Sequence, residues 1–97
     1  MGHKGTGNNN VALGSMAGEK IADGSTSNTA SDNSVFLGYG SYPQAISQTN
    51  QVVIGYNTIG NGSNTVTIGN GSITKNYFNG RHIRKGGQNE KVLHVNI

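Results

Sequence analysis

The sequence predicts an all-β fold of stacked, parallel strands with inserted loops, a β-solenoid. Three observations carry that prediction. A six-residue phrase, Asn-x-Val-x-Leu/Ile-Gly, occurs four times, at 9–14, 33–38, 50–55 and 64–69. The copies begin 24, 17 and 14 residues apart, and insertions in a stacked repeat leave it as surface loops. Apolar residues make up only 32% of the 97 residues, yet they are gathered into the phrases, while Gly, Asn, Ser and Thr fill nearly half the chain.

Each position of the phrase has a physical reason. Val11/Leu13, Val35/Leu37, Val52/Ile54 and Val66/Ile68 stand two apart, so each pair lies on one side of an extended strand. That side is expected to line the chain's own interior. Gly14, Gly38, Gly55 and Gly69 end the phrases, where a sharp turn or a close approach between repeats requires a residue without Cβ. Asn9, Asn33, Asn50 and Asn64 open them, and Asn tolerates left-handed dihedrals. Stacking would bring these four amides about 4.8 Å apart, as a hydrogen-bonded ladder or as four independent turn residues.

Beyond the phrases, Ile59 and Ile73 lie four residues after Gly55 and Gly69, with Tyr42 at the matching place after Gly38. They are expected to be the inward residues of a second strand, giving a flattened two-stranded roll. The shortest step, 14 residues, is the bare repeat. The excess lies in Ser15 to Asp32 and in Tyr39 to Thr49, which are expected to project as loops.

The fourth phrase position holds Ala12, Phe36, Val53 and Thr67, apolar in three copies and β-branched in the fourth. A half-wet strand would carry polar residues there. Both strand faces are therefore expected to be buried, the second by another copy of the chain. Composition points the same way, because so polar a monomer struggles to offset a backbone entropy cost of about 1–2 kcal/mol per residue.

The phrases Asn-Asn-Val-Ala-Leu-Gly-Ser at 9–15 and Asn-Thr-Val-Thr-Ile-Gly-Asn at 64–70 resemble the head repeats of YadA-like trimeric adhesins, over roughly residues 8–75. The resemblance implies a left-handed parallel β-roll of four repeat coils, three chains packed around a threefold axis. The same roll occurs in bacteriophage and phage-derived tail fibres, and Thr65 to Gly80 resembles those sequences. No adhesin-like neck follows Arg81 and no heptad appears before Ile97, which turns the expectation toward a fibre.

Two regions follow: the roll at 1–74 and a basic connector with a terminal strand at 75–97. The connector holds Lys75, Arg81, Arg84, Lys85 and Lys91 against Glu90, a net +4, whereas residues 1–74 carry a net −1. Tyr77, Phe78 and His82 among these cations would suit nucleic-acid stacking, but the favoured reading is a solvated connector whose aromatics plug the open end of the roll, and no nucleic-acid partner is expected. The ending Lys91 to Ile97 has the look of a strand in something longer.

Catalytic signals are thin. Glu19, Asp23 and Asp32 share the first insertion, the one place a glycosidase-like pair could form, but loop carboxylates with Lys20 among them read as solvated. His3, His82 and His94 show no metal-ligand spacing, and there is no Cys. Gly60-Asn61-Gly62 and Gly69-Asn70-Gly71 are turn sequences without the lysine of a phosphate loop. No run of about 18 apolar residues crosses a membrane within this stretch.

The expected protein is thus a non-enzymatic homotrimer without cofactor or metal. It would sit outside the cell, in a virion tail fibre or on a bacterial surface, and attach to a cell-surface glycan or outer-membrane receptor. The receptor-contact candidates are the loop aromatics Tyr39, Tyr42 and Tyr56. The alternatives are an outer-membrane adhesin head and a purely structural spacer.

Overall fold

The computed structural model describes residues 7–80. The basic segment beyond Gly80, His3, His82, His94 and the strand-like ending at 91–97 lie outside the described residues.

The described chain is all-β, without helix, and its strands run parallel within two sheets. The four phrases form the larger sheet: β1 (Val11–Leu13), β3 (Val35–Leu37), β5 (Gln51–Ile54) and β6 (Thr65–Ile68), adjacent in chain order. The register is that of the sequence repeat, so Val11, Val35, Val52 and Val66 form one row and Leu13, Leu37, Ile54 and Ile68 another. The residues just before the second and third phrases form the smaller sheet, β2 (Ser31–Asp32) beside β4 (Gln48–Thr49).

The corners hold this register. All four phrase asparagines take positive φ, between 53° and 64°. Asn9 Nδ2 donates to Asn33 Oδ1 at 3.1 Å and Asn50 Nδ2 to Asn64 Oδ1 at 2.8 Å. Between these pairs Asn33 Nδ2 turns instead to Thr49 Oγ1 at 3.4 Å, so the amide ladder forms as two rungs with a threonine step. At the other end of each strand the phrase glycine bonds to the previous repeat: Gly38, Gly55 and Gly69 N–H groups donate to the carbonyls of Leu13, Leu37 and Ile54, each at 2.8 Å.

The strand faces are reversed from the expectation. Phe36 and Val53 are fully buried and pack with Ala17, against which Ala12 lies, so the fourth phrase position is the interior. The Val and Leu/Ile rows point outward, with Val11, Leu13, Val66 and Ile68 all more than half exposed. The corner decides this. The residue after each left-handed Asn turns inward, with Ser34 and Gln51 buried and Asn10 and Thr65 half-buried, and a period of two then sends the Val and the Leu or Ile out.

The second-strand expectation needs the same correction. Tyr42 and Ile59 do pair, as one parallel bridge, with Tyr42 N–H bonded to the Thr58 carbonyl and Gly60 N–H to the Tyr42 carbonyl. The inward residues are their neighbours Ser41 and Thr58, both fully buried, while Ile59 is 36% and Ile73 51% exposed. A second left-handed corner at Met16, Gly40 and Asn57, two residues after the first three phrase glycines, fixes that phase.

The first insertion is only partly a loop. Ala17, Asn28 and Ser31 are buried, and Asn28 Nδ2 donates to the Gly18 carbonyl. What projects is a hairpin closed by an antiparallel bridge between Lys20 and Ser27, with residues 22–27 exposed. Asp23 shapes its tip, accepting from the N–H groups of Ser25 and Thr26 and from the Thr26 hydroxyl. The second insertion likewise contains buried Ser41 and Pro43 and the strand β4.

Candidate functional site

Two surface features stand out, and both follow from the corners just described. The first is the outer face of the larger sheet. Its two rows, four Val residues and then two Leu and two Ile, run across all four strands without a polar interruption. With strands about 4.8 Å apart the rows extend about 14 Å. The inner members Val35, Leu37, Val52 and Ile54 are half-buried by their neighbours in the row. The outer members remain 53–67% exposed. Scattered apolar residues need no explanation, but an ordered, uncharged aliphatic face on a chain this polar marks an interaction surface. Covering it would contribute about 1–2 kcal/mol for each of the four most exposed side chains.

The second feature borders the first. Tyr39 and Tyr56 each follow a phrase glycine, and their rings stack with centroids 5.9 Å apart and planes 23° from parallel. Asn57 N–H donates to the Tyr39 carbonyl at 2.8 Å, and Asn70 Nδ2 donates to the Tyr56 carbonyl at 2.7 Å, so the backbone under the rings is fixed. The rings themselves are 47% and 65% exposed. Tyr42, the third aromatic candidate, is not part of the stacked pair; it lies in the bridge with Ile59 and is half-buried. Burial, then its neighbours Tyr39 and Glu19, push its phenol pKa up, so it stays protonated in ordinary conditions. The rings of Tyr39 and Tyr56 form one platform, and Tyr42 is a separate, more enclosed residue. Their common place after the phrase glycine is the sequence signal for the stack.

Two of the first insertion's carboxylates are engaged in local hydrogen bonds. Asp23 is occupied in its own turn, and Thr26, first through its hydroxyl and then its N–H, with Ser25, holds its carboxyl below the ordinary range. Asp32 Oδ1 accepts from the Asn8 N–H, one corner away. Among the described residues no group of three His, Asp or Glu side chains is placed to hold a metal ion, and no helix is long and apolar enough to cross a membrane.

One interior residue escaped the sequence reading. Gln51 is 2% exposed and neither of its amide atoms has a hydrogen-bond partner. It occupies the inward position that Ser34 and Asn10 fill in the preceding repeats.

Comparison with protein-family models, with curated proteins and with solved structures finds no match.

Proposed function

We propose that this chain is a segment of a homotrimeric attachment fibre, in which each chain winds a left-handed parallel β-roll and three rolls pack through their aliphatic sheet faces. The observation that carries the reading is that face: eight aliphatic side chains in register, the four outermost more than half exposed. Only an apolar cover offsets such exposure, and a second and third copy bring a matching face by symmetry. The number three, the left hand and the extracellular setting in a phage-like tail fibre come from the resemblance of the phrases to YadA-like head repeats.

Attachment is then mechanical and multivalent. A stiff trimer presents three copies of the Tyr39 and Tyr56 platform, so weak contacts to a repetitive cell-surface glycan or outer-membrane receptor gain from effective concentration. Exposed rings held on a fixed backbone lose little entropy on binding. No reaction is assigned. The spacer reading has its own support, since each tyrosine follows two residues after a strand of the aliphatic face and could serve chain-to-chain packing.

Light scattering at micromolar concentration tests the assembly. Three chain masses are expected for the parent and one for Val66→Asp, because an unpaired carboxylate in an apolar interface is costly. A folded parent of one chain mass refutes the proposal. Binding of Tyr39→Ala and Tyr56→Ala trimers to a glycan array then separates platform from spacer. Loss of binding with the trimer intact supports the platform, and loss of the trimer itself assigns the rings to packing.

A further inference from the structure

Three asparagines in the chain precede glycine: Asn61-Gly62, Asn70-Gly71 and Asn79-Gly80. Such a pair has its own chemistry. The glycine backbone nitrogen, unshielded by a Cβ, gives up its proton to solvent base and attacks the asparagine Cγ. The Cγ–Nδ2 bond breaks, ammonia leaves, and a five-membered succinimide remains. Water then opens the ring at either carbonyl, leaving aspartate or isoaspartate, with no oxidant or further reactant required.

The fold holds the three side chains to different degrees. Asn70 is pinned at both atoms, with Nδ2 donating to the Tyr56 carbonyl at 2.7 Å and Oδ1 accepting from the Ser72 N–H at 2.8 Å. Asn61 is pinned at one, Nδ2 donating to Thr67 Oγ1 at 2.9 Å. Asn79 is exposed in a stretch without regular structure, and among the described residues nothing holds its amide. Among the described residues, chain neighbours aside, nothing lies within 4 Å of where a Cβ would stand on Gly80 or on Gly71, so the side-chain hydrogen bonds are what distinguish Asn79 from Asn70.

We propose that Asn79 is a site of spontaneous deamidation, and that the repeat structure protects Asn61 and Asn70 from the same reaction. Each event at Asn79 adds a negative charge two residues before Arg81, at the entrance to the basic segment, and the isoaspartate product lengthens the main chain there by one methylene.

Peptide mapping by mass spectrometry of the full chain, held at mildly alkaline pH and body temperature, reads the gain of one mass unit at each asparagine. The two hydrogen bonds on Asn70 and the one on Asn61 should slow those sites about thirtyfold and about fivefold relative to Asn79. In concentrated urea the three rates should converge. Gly80→Ala, whose new methyl meets nothing, should slow the reaction at Asn79 without altering the melt. Equal rates at the three sites in native buffer, the same ranking persisting in urea, or an unchanged rate in Gly80→Ala would each overturn the proposal.

Discussion

Gly38→Ala should be among the most destabilising single-methyl additions to this protein. The glycine has φ of +117°, where an L side chain is strained by about 1–3 kcal/mol. Its new Cβ would also stand 2.6 Å from the carbonyl oxygen and 2.9 Å from the carbonyl carbon of Gly55 in the next repeat. Those atoms are backbone, fixed by the bond from Gly55 N–H to the Leu37 carbonyl, so no side chain can swing aside. Overpacking of this kind costs about 1–3 kcal/mol more. Reduced freedom of the unfolded chain returns about 0.4–1 kcal/mol, leaving a loss of about 3 kcal/mol. For a domain of this size that lowers the melting midpoint by about 12–24 °C. Gly24→Ala separates the two causes, because Gly24 has φ of +75° but nothing within 4 Å of its Cβ position. Thermal melts by circular dichroism at matched protein concentration would compare the variants. If Gly38→Ala melts within a few degrees of Gly24→Ala, the close stacking of phrase glycines is not what this position requires.

Replacing residues 21–26 by Asn-Gly, joining Lys20 to Ser27 through a tight turn, should leave the melt nearly unchanged, whereas deleting 15–32 should prevent folding because Ala17, Asn28 and Ser31 leave the interior; circular dichroism reads both. Gln51→Met should raise stability by about 1 kcal/mol in urea unfolding, since it removes a buried amide that bonds to nothing and keeps the volume. Asp23 has a folded-state pKa below its ordinary value of 3.8, so its contribution to the hairpin is present above that pH and is lost as pH falls through the lower, folded value. NMR titration should show the Ser25 and Thr26 amides changing in that acid window, and Asp23→Asn should abolish the change.

The register of the larger sheet was legible in the sequence because the phrase is strict: each Val pairs with a Val and each Leu or Ile with its counterpart. Left-handed corners at the four asparagines and the close approach of Gly14 to Gly38 and of Gly38 to Gly55 were legible for the same reason. Which face turned inward was not. Strict repetition looks like a core, yet the interior row varies, from Ala12 to Phe36 to Val53 to Thr67. On the larger sheet the phase was set by the asparagine corners, each turning the next residue inward, and beyond the phrases by corners at Met16, Gly40 and Asn57, three residue types with no common side-chain chemistry. The stacked tyrosines were named from their chemistry alone. Their pairing came from an inserted repeat and a bare one leaving the phrase glycine in the same way.

The parallel register also sets how the chain responds to a pull along the direction in which its strands stack. Asn50 and Asn64 are neighbours across one strand spacing, about 4.8 Å, although 14 residues separate them. Drawn out straight, those residues span about 48 Å. Peeling one repeat from the end therefore releases about ten times the length it occupied, after breaking only the few bonds between two adjacent strands. A sudden load is met by yielding one repeat at a time, while the paired rows behind the break keep their alignment and offer the template on which the released strand pairs again.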